Sequence, residues 1–166
     1  MATLELYLIR HGLAAERGEE YPDDSKRPLT QLGINRLRKE AKALDALGVA
    51  FDQILSSPLV RAKQTADVFA EIMKGKPPVA TTDALTPAGT PAGVVQELAK
   101  HMRKGSLALV GHEPNIGELA AHLIGAKTPL LFKKGAIARI DFSIFPPRGK
   151  GQLIWFVAPR MLRKLA

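Results

Sequence analysis

The sequence predicts an α/β fold, a three-layer α/β/α sandwich on a mostly parallel, mixed central sheet. Three observations predict it. Short apolar runs alternate with segments of helical periodicity through the first two thirds of the chain, the order that a parallel sheet covered by helices requires. Leu107-Ala108-Leu109-Val110 is apolar at every position and bounded by turn residues, as a strand buried on both faces must be. Two strand-like segments, 136–142 and 153–157, close the chain, and Pro146-Pro147-Arg148-Gly149 between them is a connection short enough to pair them antiparallel.

The first strand is expected over residues 4–9, where Leu4, Leu6, Leu8 and Ile9 form an apolar run. A polar stretch bearing Gly and Asp, residues 13–28, reads as an irregular loop. Thr30 then looks like the cap of a helix reaching about Leu47, because Leu37, Ala41, Leu44 and Leu47 recur at helical spacing while Arg36, Lys39 and Lys42 face elsewhere. Gly48 ends it. Residues 53–55 form a short second strand. Ser56-Ser57-Pro58 follows as a cap with proline in the first helical position, opening a second helix to about Met73. Residues 74–78 break the chain, and 81–91 read as a loop rich in Thr, Pro and Gly ahead of a third helix ending near Lys104. After the apolar strand and Gly111-His112, a fourth helix is expected over 115–124.

At 166 residues the chain suits a single domain, residues 1–166, long enough to bury a core without staples. No apolar run approaches the roughly 20 residues of a membrane span. Glu5, Arg10 and His11 interrupt the amino-terminal apolar stretch, so no signal peptide is expected and the chain reads as cytoplasmic. The lack of cysteine excludes disulfides, thiolate catalysis and cysteine-ligated zinc. A formal charge of +8 suggests nucleic acid or an acidic protein as partner. The basic residues are nevertheless scattered over 36–39, 100–104, 133–134, 148–150 and 160–164, and the aromatics sit in core-like runs instead of forming stacking platforms. The nucleic-acid reading is therefore set aside, and an acidic protein is retained.

Chemistry gathers at three strand ends: Arg10 and His11 after the first, Ser57 and Arg61 after the second, His112 after the apolar run. Side chains at the carboxyl ends of parallel strands converge on the crevice where ligands of open α/β sheets bind. Arg61 falls in the first turn of its helix, where a cation opposes the dipole unless an anion is also present. A helix amino terminus and an arginine fork both suit phosphate, so Arg10 and Arg61 are expected as two jaws of a phosphate clamp, with Ser57 beside them. Neighbouring positive charge should hold the His11 imidazole neutral and nucleophilic. Attack on phosphorus would then give a phosphohistidine at His11, with water as second acceptor, and His112 would donate hydrogen bonds to the equatorial oxygens.

This scheme requires no metal and no cofactor. A zinc site at His11 and His112 is opposed by the adjacent arginines, and no His-Glu-x-x-His spacing occurs. Ordinary structural roles are assigned to His101, flanked by Lys100, Met102 and Arg103 on a helix face, and to His122. Arg61 would be read as a surface ion-pairing residue if Arg10 and His11 were absent.

Taken together, Leu8-Ile9-Arg10-His11-Gly12, Arg27-Pro28-Leu29-Thr30 with Gly33, Ser56-Ser57-Pro58-Leu59-Val60-Arg61-Ala62 with Gln64-Thr65, Leu85-Thr86-Pro87 with Gly89, and Val110-Gly111-His112-Glu113-Pro114 give the chain its family likeness. It resembles the histidine phosphatase superfamily, the phosphoglycerate mutase-like proteins, and within it the SixA-type phosphohistidine phosphatases. The motifs run in the family order over nearly the whole length. The resemblance implies His11 as the phosphorylated nucleophile, with Arg10, Arg61 and His112 completing the phosphate pocket on a phosphoglycerate mutase-like fold.

One departure bears on the substrate. Many relatives that act on phosphate esters carry a Glu or Asp as general acid in the loop that here reads Asp83-Ala84-Leu85-Thr86-Pro87. Asp83 is the nearest carboxylate in this sequence, and Glu16 and Glu113 are further candidate proton donors. An alkoxide leaving group needs a proton in the transition state, whereas the imidazole of a phosphoramidate does not. Little chain remains beyond the core elements to build a lid, so an open crevice and a phosphohistidine on another protein, such as a phosphotransfer domain of a relay, are the leading expectation. A phosphatase of small-molecule phosphate monoesters and a non-catalytic phosphate-recognising module are the alternatives.

Overall fold

The computed structural model describes residues 4–101, 105–147 and 150–166. The expected end of the third helix, the basic residues Arg103, Lys104 and Arg148, and Gly149 lie outside them.

The elements follow the order β1 (Leu4–Arg10), α1 (Gln31–Ala46), β2 (Gln53–Ser56), α2 (Val60–Ile72), β3 (Val79–Thr81), α3 (Pro91–His101), β4 (Gly105–Gly111), α4 (Asn115–Ile124), β5 (Ile137–Phe142), β6 (Gln152–Val157) and α5 (Pro159–Arg163), with 3-10 turns at Asp24–Lys26 and Asp83–Leu85. The strands form one mixed sheet in the order β3-β2-β4-β1-β5-β6. β1, β4, β2 and β3 are mutually parallel, β5 adds antiparallel to β1, and β6 adds antiparallel to β5.

The two-residue period of β1 separates the layers. Leu4, Leu6 and Leu8 join Leu107 and Leu109 of β4 against Val94 and Leu98 of α3 and Ile116 and Leu119 of α4. Tyr7 and Ile9 join Ala108 and Val110 against Leu37 of α1, Phe69 of α2 and Leu162 of α5. Each such leucine or isoleucine withdrawn from water contributes about 1.5–3 kcal/mol, so the centre of the sheet anchors the strand ends that carry the chemistry. Thr30 caps α1, its side chain accepting from Gly33 N–H at 3.0 Å. Leu47 is the C-cap, and Gly48 beyond it takes φ +80, a left-handed geometry that favours glycine.

Three features differ from expectation. The second helix starts at Val60 with Leu59 as N-cap, not at Pro58. The Ser57 hydroxyl holds Leu59 N–H at 3.2 Å in a turn before the helix and is also engaged by His112. β3 lies between the break expected at 74–78 and the loop expected from 81, where no strand is expected. It has three residues behind Pro77-Pro78, too few to display alternation. The five-residue α5 is also additional, starting at Pro159. The antiparallel closing pair is present as β5 and β6. Among the described residues no helix is long and apolar enough to cross a membrane.

Candidate active site

Because β1, β4 and β2 are adjacent and parallel, their carboxyl ends share one edge of the sheet. The ladders continue one residue past the strands, with His11 N–H donating to Gly111 O at 3.1 Å and Ser57 N–H to Val110 O at 3.0 Å. This rigid frame brings together His11, Ser57, Arg61 and His112, all buried. The two imidazole centroids are 5.1 Å apart. Above them opens a concavity of about 490 Å³ whose walls include Arg10, Asp24, Arg27, Glu113 and Lys134.

The His11 tautomer follows from its partners. Nδ1 lies 2.8 Å from Gly12 O, a carbonyl that can only accept, so Nδ1 carries the proton. Nε2 therefore keeps its lone pair, and it accepts from Arg61 Nε–H at 3.4 Å. The His11 pKa is lowered to about 3: burial is the largest cause, the Gly12 carbonyl acts in the opposite sense, and His112, Arg61 and Arg10 lower it further. The expected neutral imidazole is thus present, but desolvation precedes the neighbouring charge that the sequence pointed to. His112 is lowered to about 4, again by burial first and then by Arg61. Its Nε2 sits 2.8 Å from Ser57 Oγ, and its buried Nδ1 has no partner among the described residues.

The arginines are held from behind. Arg10 Nη1 donates to Phe132 O at 2.7 Å, while its Nε is buried without a partner among the described residues. Arg61 donates from Nη1 to Asp24 O at 2.9 Å and from Nη2 to Asp24 Oδ2 at 3.0 Å. The other Asp24 oxygen meets Arg27 Nε at 3.1 Å and Arg17 Nε at 3.3 Å. One carboxylate thus faces three guanidiniums, which leaves the pocket cationic and suited to a phosphoryl dianion.

Close packing sets these positions. Thr65 Oγ1 accepts from Gly12 N–H at 3.1 Å and donates to Arg61 O at 2.7 Å, tying the loop after β1 to the first turn of α2. Gln64 Oε1 accepts from Leu29 N–H at 2.8 Å. A Cβ on Gly12 would lie 2.6 Å from Leu37 Cδ1, and one on Gly33 would lie 2.2 Å from Leu13 O, so both glycines allow α1 to approach the loop bearing His11.

The three candidate proton donors are placed differently. Asp83 is exposed on its 3-10 turn and Glu16 is exposed in the loop after β1, and neither lines the concavity. Glu113 does line it. Burial raises the Glu113 pKa, and its Oε1 accepts from Gly117 N–H at 2.8 Å at the start of α4. Sequence reasoning missed Asp24, Arg27 and Lys134 as pocket residues. Arg27 stands in a recognisable motif, but Asp24 and Lys134 reach the site through tertiary contacts that leave no periodic trace. His101 pairs with Glu97 at 2.9 Å on α3, and His122 is exposed on α4. Among the described residues no three His, Asp or Glu side chains gather as a metal site would need.

Residues 6–86 match the histidine phosphatase superfamily (branch 1). The chain is 30% identical over 162 residues to the phosphohistidine phosphatase SixA of Escherichia coli K12, covering 96% of this chain and 97% of that one. It is 39% identical over 127 residues to an uncharacterised Picosynechococcus protein, covering 75% of this chain and 76% of that one. The fold superposes on a structure of the protein histidine phosphatase SixA complexed with tungstate with a TM-score of 0.84 at 29% identity, covering 95% of this chain and 99% of that one. The chain belongs to the histidine phosphatase superfamily and is a hydrolase that uses a histidine nucleophile.

Proposed function

We propose that the protein removes phosphoryl groups from phosphohistidine on a protein, such as a phosphotransfer domain, through a phosphohistidine intermediate on His11. The observation that carries this reading is the tautomer: Nδ1–H engaged by Gly12 O and a lone pair on Nε2 beside Arg61. In the first step that lone pair forms a bond to phosphorus while the bond from phosphorus to the substrate nitrogen breaks. The substrate ring, protonated on its far nitrogen, leaves as neutral imidazole and needs no proton at the breaking bond. His11 becomes a phosphorylated imidazolium whose positive charge is shared through Nδ1–H with Gly12 O. Arg10, Arg61 and His112, with Ser57 orienting His112, bind the equatorial oxygens as charge spreads over them. In the second step water attacks phosphorus, its proton passes to a phosphate oxygen, and His11 departs with its lone pair restored.

Similarity to SixA over nearly the whole chain supports the phosphoramidate substrate. A second reading, hydrolysis of small phosphate monoesters, is favoured by Glu113, a pocket carboxyl whose pKa is raised. Turnover of a phosphohistidine peptide and of p-nitrophenyl phosphate, compared side by side, separates the two. The expected result is preference for the peptide, an acid-labile phosphoenzyme, and loss of both turnover and label in His11→Ala. Undiminished labelling of His11→Ala would overturn the assignment.

A further inference from the structure

A second concavity, of about 570 Å³, lies between α1 and α5 and is lined by Arg36, Lys39, Arg160, Arg163 and Lys164 together with Leu32 and Asn35. Among the described residues no carboxylate lines it. Glu40, buried beneath, pairs with Arg163 at 3.4 Å. Arg36, Lys39, Arg160 and Lys164 are exposed and make no ion pair among the described residues. Arg36 and Lys39 are three apart on α1, and Arg160 and Arg163 three apart on α5, so like charges share a face of each helix. That arrangement is unfavourable until an anionic surface arrives.

The groove is tied to the catalytic edge. α1 begins there, with Thr30 N–H on Leu13 O at 3.0 Å in the loop that follows His11. β6 is antiparallel to β5 and therefore parallel to β1, so α5 also starts at that edge. The connection is short: the Glu40 carboxylate packs on Gly135, where a Cβ would lie 2.7 Å from Oε1, and Gly135 N–H donates to Arg10 O at 3.1 Å and His11 O at 3.2 Å.

We propose that this groove docks an acidic patch of the protein that carries the phosphohistidine, seating it while the phosphoryl group enters the pocket at His11. The proposal rests on the reading of a protein-borne substrate given above. An acidic protein fits better than a nucleic acid because the described lining holds no aromatic ring for base stacking and both helices of the groove start at the sheet edge that carries the phosphoryl pocket. Four cations without an ion pair on and beside the two helices, with Arg163 as a fifth, also exceed what one small anion would engage, and exposed Leu32 offers an apolar contact.

The test is the double charge reversal Lys39→Glu with Arg160→Glu, two exposed residues that leave the Glu40–Arg163 pair intact. Turnover is measured on an acidic phosphotransfer domain phosphorylated at histidine and on free phosphohistidine. Binding of a labelled polyglutamate peptide is followed by fluorescence anisotropy. The expected result is a fall of about tenfold or more in kcat/KM on the protein substrate, carried by KM, with loss of its salt sensitivity, loss of polyglutamate binding and unchanged turnover of free phosphohistidine. Unchanged kcat/KM on the protein overturns the docking site, as does wild-type binding of a DNA duplex in preference to polyglutamate. Failure of the wild type to hydrolyse either phosphohistidine substrate instead overturns the function on which the proposal rests.

Discussion

Asp24 grips Arg61 at two points, its carbonyl oxygen taking Nη1 at 2.9 Å and its carboxylate Nη2 at 3.0 Å, so the arginine expected to clamp phosphate is held by an anion of the protein itself. The carboxylate orients the fork and also occupies part of its charge. Arriving phosphate must share Arg61 with it.

Removing that charge while keeping the shape should therefore strengthen product binding. In Asp24→Asn, inorganic phosphate is expected to inhibit about three- to tenfold more tightly, which corresponds to roughly 0.7–1.4 kcal/mol, while kcat falls because Arg61 loses its orientation. Inhibition constants for phosphate in the two proteins measure this. Weaker phosphate inhibition in the variant would show that Asp24 acts only as a brace.

The two active-site histidines should stay neutral well into acid. With His11 lowered to about 3 and His112 to about 4, the native protein leaves both unprotonated where the unfolded chain, at its ordinary value of 6.5, has taken up protons. Their contribution to stability is present above about pH 6.5 and is lost as pH falls through the native values. NMR titration of the imidazoles should show no protonation of either ring down to about pH 5, and urea unfolding should show stability declining below about pH 6.5. An imidazole midpoint near 6.5 for His11 would contradict the burial argument.

Thr65 joins the loop carrying His11 to the helix carrying Arg61, so Thr65→Val should leave Gly12 N–H buried without an acceptor. The expected cost is about 1–3 kcal/mol of stability, with kcat reduced at least tenfold. Thr65→Ser, which keeps the hydroxyl, should restore most of both, and calorimetry with steady-state kinetics on the two variants checks it. Equal loss in both would point to the methyl group and to packing.

Legibility from sequence divided along physical lines. Arg10, His11, Ser57 and His112 could be placed because each follows an apolar run, and parallel strands deliver their carboxyl ends to one edge whatever the loops do. Arg61 could be placed because the turn before it sets its helix start, even though that start proved to be Val60 and not Pro58. Asp24 and Lys134 could not, since they reach the pocket from an irregular loop and from the segment before β5. Their position depends on which arginine or strand lies opposite, and no local pattern encodes that. The cause of the His11 shift was hidden for a similar reason: nearby arginines are visible in a sequence, whereas the depth of burial that exceeds their effect is not. β3 and α5 are too short to show a period.

Glu40 supplies a last prediction, one that concerns stability. Its side chain is 1% exposed, one oxygen meets Arg163 at 3.4 Å and the other has no partner among the described residues. Burial raises its pKa to about 8, the pairing with Arg163 acting in the opposite sense. A carboxyl that ionises at 4.5 when unfolded and at about 8 when native contributes stability that is fully present below about pH 4.5 and is lost as pH rises through about 8. Glu40→Gln keeps the neutral form at every pH, so it should match the wild type at about pH 4.5 and become progressively more stable than it up to about pH 8. Urea unfolding of the two proteins across that range measures the gap. A gap that closes as pH rises would mean that Glu40 is ionised in the native protein and that its pairing with Arg163 outweighs its desolvation.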